Sequence, residues 1–303
     1  MRALHDVPAP AKLNLFLHVV GRRADGYHLL QSVFVLIDWA DTLHFERRAD
    51  GRLQRHDLGT ALPADDLSLA AARRLQAESG STLGADISID KRVPWAAGLG
   101  GGSSDAASTL LALNRLWGLG WSRERLMELA LRIGADVPFF IGGHNAFVEG
   151  IGEQLTPIAV PRQWFAVVKP GAGLATQDIF KHPALVRDTP AAILSGFLAD
   201  AAKLAYSVNE SANEGAWVKT PAYGRNDLQP PAEDCCPEVA QAAQWIAKHF
   251  GNSRMTGSGS AVFARNGMDD QPLVTWPAEA LSPGWVGRMC RSLDRHPLRD
   301  WAG

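Results

Sequence analysis

The chain has 303 residues, 46% of them hydrophobic and 20% charged, with a formal net charge of −2. That length and apolar content allow two domains with sizeable cores, and the near-neutral charge argues against nucleic acid as the main partner. The three cysteines, Cys235, Cys236 and Cys290, make neither an even disulfide framework nor a C-x-x-C metal pair, so the expectation is a reduced, cytoplasmic chain. No apolar run is long enough to span a bilayer, and the residues before Lys12 include Asp6, Pro8 and Pro10 rather than a secretory core.

Residues 11–19, A-K-L-N-L-F-L-H-V, alternate as a strand. Leu13, Leu15, Leu17 and Val19 are expected to face the core, with Lys12, Asn14, Phe16 and His18 on the opposite, half-exposed face. The ordinary fate of Lys12 and Asn14 there is solvation, yet two such side chains on one face can also reach one bound group. In G-R-R-A-D-G-Y-H (21–28), Asp25-Gly26 is a turn dipeptide. Tyr27 and His28 then either flank the turn or form an aromatic pair at a pocket. Strands are expected over 30–38 and 42–48, separated by Trp39, Ala40 and Asp41. Residues 49–66 read as a polar loop that ends on Asp65 or Asp66 as a helix cap, and Gly80 stops that helix.

A strand over 86–91 leads into P-W-A-A-G-L-G-G-G-S-S-D (94–105), and Ala106, Ala107, Leu110, Leu111 and Leu113 follow at helical spacing. Strand, glycine loop and helix are the expected order. Ser103, Ser104 or Asp105 can cap the helix, and a row of N–H groups at its positive end is a site for phosphate. A plain tight turn is the alternative. The loop is no Walker A sequence, since no Gly-Lys-Ser/Thr follows the spacer. It is no dinucleotide fingerprint either, because Ser103 stands where that pattern needs Gly or Ala.

The helix should run to about Leu116, and Gly118 and Gly120 break it. Ser122 can cap the next one, which carries Leu126, Leu129, Ala130 and Ile133 and ends near Gly134. In G-A-D-V-P-F-F (134–140), Asp136 is either a helix cap before Pro138 or a partly desolvated base beside a cation. Residues 142–153 read as a hairpin or loop. Pro157, Pro161 and Gln163-Trp164 mark a shift in composition that divides the chain into 1–160 and 161–303. Beyond it, a buried strand (165–168), a loop with helical pieces (172–189), a helix (190–206), an irregular stretch (207–237) and a helix (239–250) are expected. M-T-G-S-G-S-A-V-F-A (255–264) is either a second glycine loop or a tight hairpin before a strand. The last forty residues should form one strand and one helix.

P-x-x-x-G-L-G-G-G-S-S-D-A resembles the phosphate loop of the kinase superfamily named for galactokinase, homoserine, mevalonate and phosphomevalonate kinases. P-A-P-A-K-L-N-L-F-L and M-T-G-S-G-S-A-V-F resemble its other two motifs. The blocks P-A-K-L-N-L-F-L-H-V, G-R-R-A-D-G-Y-H, G-A-D-V-P-F-F, G-I-G-E and N-D-L closely resemble the 4-diphosphocytidyl-2-C-methyl-D-erythritol kinase family. The likeness runs from about residue 8 to about 264 and is strongest in the first 155 residues.

The resemblance implies a mixed α/β (α+β) fold of two domains, a nucleotide-binding one over 1–160 and a substrate-side one over 161–303, with the active site in the cleft between them. It implies phosphorylation of the 2-hydroxyl of a cytidine-diphosphate-linked methylerythritol by ATP, in the non-mevalonate route to isoprenoid precursors, with magnesium carried by the nucleotide and no protein metal ligand named. Carried over by position, Lys12 and Asp136 would be catalytic. Pro94, Ala97, Gly98, Leu99, Gly100, Gly101, Gly102, Ser103 and Ser104 would bind ATP. Asn14, Tyr27, His28, Phe180, Gly257 and Ser258 would bind the substrate, with cytosine stacked between Tyr27 and Phe180. Asp136 would accept the hydroxyl proton, and Lys12 would hold it ionised and offset developing charge. Trp95 departs from the smaller or aliphatic residue expected in the spacer. The implied partner is a small molecule, neither nucleic acid nor membrane, and no oligomeric state follows from the sequence. Two other readings compete: a kinase of another small alcohol, which needs no base pocket, and a silent nucleotide-binding protein, which needs neither Lys12 nor Asp136.

Overall fold

A computed structural model of the chain describes residues 1–59, 61–64, 66–198, 224–268 and 271–303. Two long antiparallel strands, β1 (Ala3–Arg22) and β2 (His28–Arg48), form its spine and pair from Ala3 opposite Glu46 to Arg22 opposite His28. β2 also pairs antiparallel with β4 (Gly84–Asp90) through Thr42–Arg48 and with β5 (Ala146–Glu149) through Ser32–Phe34. β3 (Leu53–Asp57) adds parallel to β4, and β6 (Gln154–Pro157) antiparallel to β5. A second, antiparallel sheet has the order β10 (Val286–Arg291), β7 (Gln163–Lys169), β9 (Val262–Met268), β8 (Arg254–Met255).

Helices α1 (Leu67–Ser79), α2 (Gly101–Leu116), α3 (Arg123–Leu131) and α4 (Val137–Gly142) pack with the first sheet around one apolar cluster. α5 (Thr176–Lys181), α6 (Gln229–Cys235) and α7 (Pro237–Phe250) accompany the second sheet. β1 threads every cluster: Val7 and Ala9 lie in the first, Ala11 to Phe16 supply the one between the sheets, and Leu17 and Val19 reach the third. Both faces of β1 are therefore buried. Lys12, Asn14 and Phe16 are covered rather than half-exposed, so the solvated alternative for Lys12 and Asn14 fails.

Several other expectations change. β2 runs unbroken through Trp39, Ala40 and Asp41, because the buried Asp41 carboxylate is satisfied by the backbone N–H groups of Arg92 and Val93 and by the Lys91 ammonium. Residues 53–57, read as loop, form a polar edge strand, which such a sequence allows. The helix cap is Asp66, whose carboxylate accepts the N–H groups of Ser68 and Leu69, and Gly80 ends α1 in the left-handed conformation. α2 starts at Gly101 with Gly100 as its N-cap, so Ser103, Ser104 and Asp105 lie inside the helix and cap nothing. Ser122 caps α3 as expected.

Of the helix expected over 190–206, residues 194–198 are helical and 199–206 lie outside the described residues, as does all of 207–223. The terminal helix is reduced to a single 3-10 turn, Arg299–Trp301. The chain end does not stay with the second sheet. Ser292 bridges Ile37, Arg295 bridges His144, and the Arg123 guanidinium donates to the carbonyls of Ile141, Arg299 and Ala302. Leu298 and Ala302 thereby join the core of the first four helices.

Candidate active site

β1 delivers Lys12 into the interior, where its ammonium lies 2.5 Å from Asn14 Oδ1, 3.7 Å from Asp136 Oδ2 and 4.8 Å from the centre of the Phe34 ring. Burial pulls the Lys12 pKa below its ordinary value, and the Asp136 carboxylate opposes that shift. Asp136 immediately precedes α4, but its side chain makes no capping bond. The carboxylate turns to Lys12 instead. With 3% of the Lys12 side chain and 31% of the Asp136 side chain exposed, the pair opens to the cavity on its carboxylate side.

Asn14 holds this pair in place. Besides Lys12, its Oδ1 accepts from the Gly257 N–H at 2.9 Å and the Thr256 hydroxyl at 3.2 Å, while Nδ2 donates to Ser32 Oγ at 2.9 Å. It is buried and engaged on both ends of its amide, so it holds its neighbours in place, and it also stands on the wall of the cavity that contains Lys12 and Asp136. The two glycine turns press together. A Cβ on Gly98 would lie 2.1 Å from the Thr256 carbonyl oxygen, and one on Gly257 would lie 2.8 Å from the Gly98 oxygen. Asn226 Nδ2 holds the second turn through the Met255 and Gly257 carbonyls, each at 2.8 Å. Asp227 accepts the Val19 N–H at 2.8 Å and the Thr189 hydroxyl at 2.6 Å. The N-D-L block thus carries positioning residues to which the sequence assigned no role.

The first glycine turn is bonded to β1, where the Lys12 N–H donates to the Leu99 carbonyl at 2.9 Å. The first intrahelical bond of α2 runs from the Ser104 N–H to the Gly100 carbonyl at 2.9 Å. The N–H groups of Gly101, Gly102 and Ser103 precede it and have no partner within the helix, at the end where anions are favoured. With Pro94, Ala97, Gly98, Leu99 and Gly100 they line a cavity of about 490 Å³, and Trp95 stands exposed at its wall. Ser104 departs from its expected place. It is fully buried and lies off the cavity wall, and its hydroxyl donates to the Pro10 carbonyl at 2.7 Å, so it anchors α2 to β1.

Under the turn, the Lys91 ammonium bridges Asp41 and Asp105, the latter at 2.7 Å. Burial alone would lower the Lys91 pKa, but the two carboxylates outweigh it and raise it. Burial pushes Asp105 up to about 8, against the pull of Lys91 and with the help of the neighbouring Asp41 carboxylate.

The Lys12–Asp136 cavity, about 300 Å³, also has Gly257 and Ser258 on its wall. It shares Gly98, Gly100 and Thr176 with the glycine-loop cavity. It shares Leu30, Ile151, Thr176 and Phe180 with a third cavity of about 740 Å³ that holds Tyr27 and His28. Thr176, a residue that sequence reasoning passed over, borders all three and joins its hydroxyl to that of Ser258 at 2.7 Å. The ring that Phe180 meets is His28, stacked at 5.0 Å between centres and 24° between planes. Tyr27 is 60% exposed and lines that same cavity with His28 and Phe180. Arg187, also unforeseen, donates to His28 Nε2 at 3.2 Å.

Residues 66–144 match the GHMP kinases N terminal domain family, and residues 202–265 match the GHMP kinases C terminal family. The 4-diphosphocytidyl-2-C-methyl-D-erythritol kinase of Methylibium petroleiphilum is 63% identical over 304 residues, covering 100% of this chain and 99% of that one. A crystal structure of 4-(cytidine 5'-diphospho)-2C-methyl-D-erythritol kinase superposes with a TM-score of 0.70 at 34% identity, over 87% of this chain and 90% of the other. A mevalonate kinase crystal structure shares the fold at 13% identity, with a TM-score of 0.61 over 94% of this chain and 98% of the other. The chain belongs to the 4-diphosphocytidyl-2-C-methyl-D-erythritol kinase family of the GHMP kinases.

Proposed function

We propose that the chain transfers the γ-phosphoryl group of ATP to the 2-hydroxyl of 4-diphosphocytidyl-2-C-methyl-D-erythritol, a step in isoprenoid precursor synthesis. One observation carries the reading: the buried Lys12 and the partly open Asp136 stand in a cavity that borders a glycine-loop cavity on one side and an aromatic cavity on the other.

ATP phosphates sit on the open N–H groups of Gly101, Gly102 and Ser103. The cytidine end sits beside Tyr27, His28 and Phe180, and the reacting hydroxyl lies at Asp136. The hydroxyl oxygen forms its bond to the γ-phosphorus as the bond to the β–γ bridging oxygen breaks. Asp136 takes the proton, Lys12 offsets the charge spread over the phosphoryl oxygens, and ADP leaves. Asn14, Thr256 and Asn226 keep Lys12 and both glycine turns in register.

Among the described residues no group of three or more His, Cys, Asp or Glu side chains could hold a metal ion, and Asp105 below the loop is committed to Lys91. The magnesium ion is read as travelling with the nucleotide, and no step is derived through it. The division near residue 160 has a functional sense in this reading. The glycine loop, Lys12 and Asp136 precede it, and Phe180, Gly257 and Ser258 follow it. No helix among the described residues is long and apolar enough to cross a membrane. The three cysteines are free thiols, which supports a reducing, cytoplasmic setting.

The test is ADP release with ATP and magnesium on the cytidine-diphosphate methylerythritol, homoserine and mevalonate side by side. Turnover on the first alone is expected. Preferred turnover on either of the others would remove the cytidine assignment while keeping the Lys12–Asp136 pair.

A further inference from the structure

Arg187 makes four hydrogen bonds that converge on the wall of the aromatic cavity. Nε donates to His28 Nε2 at 3.2 Å, Nη1 to the Leu185 carbonyl at 2.9 Å, and Nη2 to the carbonyls of Phe180 and His182 at 3.1 and 3.0 Å. One guanidinium thus grips both members of the His28–Phe180 stack, one carried by β2 and the other by α5. Three of the bonds go to carbonyls within seven residues of Arg187, so its own fork is fixed and His28 must adapt to it.

A guanidinium has only donors and keeps its protons at any ordinary pH. The His28 nitrogen facing it must therefore offer a lone pair. In a neutral imidazole that leaves the single ring proton on Nδ1. Burial first, then the Arg187 and Arg22 cations, lowers the His28 pKa and keeps the ring neutral. Four charged groups line this cavity: Arg22 at the end of β1, Asp25 from the β1–β2 turn, Lys181 from α5, and Arg187.

We propose that Arg187 is a positioning residue that fixes the tautomer of His28, so that the base pocket presents Nδ1–H as a donor and selects a pyrimidine with an acceptor at its ring nitrogen. Cytosine has a lone pair at N3, whereas uracil has an N–H there, which would meet this donor head-on. Polar recognition of this kind discriminates strongly because the wrong base leaves desolvated groups unpaired. The inference rests on the cytidine reading above, but its first test needs no substrate.

That test is long-range proton–nitrogen NMR on the chain labelled with 15N-histidine, with the His28 signals identified by their loss in His28→Gln. The expected result is a protonated Nδ1 and an unprotonated Nε2 at neutral pH. A protonated Nε2 would overturn the proposal whatever the enzyme's substrate proves to be. The second test is Arg187→Met, which keeps the length of the side chain and removes every donor. His28 should then titrate at higher pH and sample both tautomers. KM for the cytidine substrate should rise about tenfold with kcat within about twofold, and preference over the uridine counterpart should fall by at least about tenfold. Unchanged preference between the two bases in Arg187→Met would overturn the selective role.

Discussion

The side-chain oxygen of Asn14 accepts the backbone N–H of Gly257 at 2.9 Å, across 243 residues of sequence. The same oxygen accepts the Lys12 ammonium. One amide on β1 therefore sets both a buried cation and the turn that packs on the nucleotide loop.

Asn14→Ala strips Lys12, Thr256 and Gly257 of a shared acceptor in a buried place. Leaving such donors unsatisfied should cost about 2–3 kcal/mol of stability. Turnover should fall more than ATP affinity, because the cation moves while the glycine loop remains. Urea unfolding alongside steady-state kinetics checks both, and wild-type values in the two would contradict the positioning role.

The glycines of the loop should separate into two kinds. Gly98 adopts φ +71 with the Thr256 carbonyl oxygen 2.1 Å from any added Cβ, so Gly98→Ala should lose about 2–4 kcal/mol through strain and clash. Gly102 is helical, and the nearest atom to its Cβ position is Leu67 Cδ1 at 3.8 Å. Gly102→Ala should fold normally, so any rise in KM for ATP would report on the open N–H end of α2 alone. Thermal unfolding of the two variants in parallel distinguishes them.

The Asp41–Lys91–Asp105 cluster ties the chain before the glycine loop to the helix after it. Lys91→Met leaves the buried Asp41 carboxylate without its cation and should cost about 3–5 kcal/mol. Asp105→Asn should be tolerated. The native protein holds a proton on Asp105 up to about pH 8, which the unfolded chain releases in the ordinary carboxylate range. The stability from that proton is full at acid pH and is lost as pH rises toward about 8. Asp105→Asn should therefore gain on the wild type across that interval, as measured by denaturant unfolding at several pH values. A constant difference would contradict the assignment.

Lys12 carries a depressed pKa because it is buried, with Asp136 opposing. In the proposed transfer its cation offsets the developing charge, so kcat should fall at a pH below that at which an exposed lysine titrates. For stability the sign is reversed: the cost of burying the ammonium is present at neutral pH and is relieved as pH rises through the depressed value. A kcat–pH profile checks the first effect, and a rate flat to the usual lysine range would contradict it.

The sequence announced the elements whose signals are local. Asp66 and Gly80 bound α1, Ser122 starts α3, and Gly251 ends α7. It also announced Lys12 and Asp136 through their motifs. What it hid depends on packing between distant segments. Alternation made β1 look half-exposed, because nothing local says that a second sheet covers its polar face. Asp41 looked like a strand break, because its three partners lie some fifty residues away. The bonds that tie Asn14 to Gly257 and Ser104 to Pro10 join distant segments, and only the folded chain shows them. Arg187 and Thr176 lie outside every motif block, and their importance comes from what stands opposite them.

The central claim is that Asp136, held 3.7 Å from the Lys12 ammonium, takes the proton of the acceptor hydroxyl. The direct measurement is single-turnover phosphoryl transfer by Asp136→Asn, with the affinities for ATP and the cytidine substrate measured separately. Asparagine keeps the shape and removes the base. Transfer should slow by about 10²–10⁴-fold while both affinities stay within about threefold. Transfer at close to the wild-type rate would contradict the account.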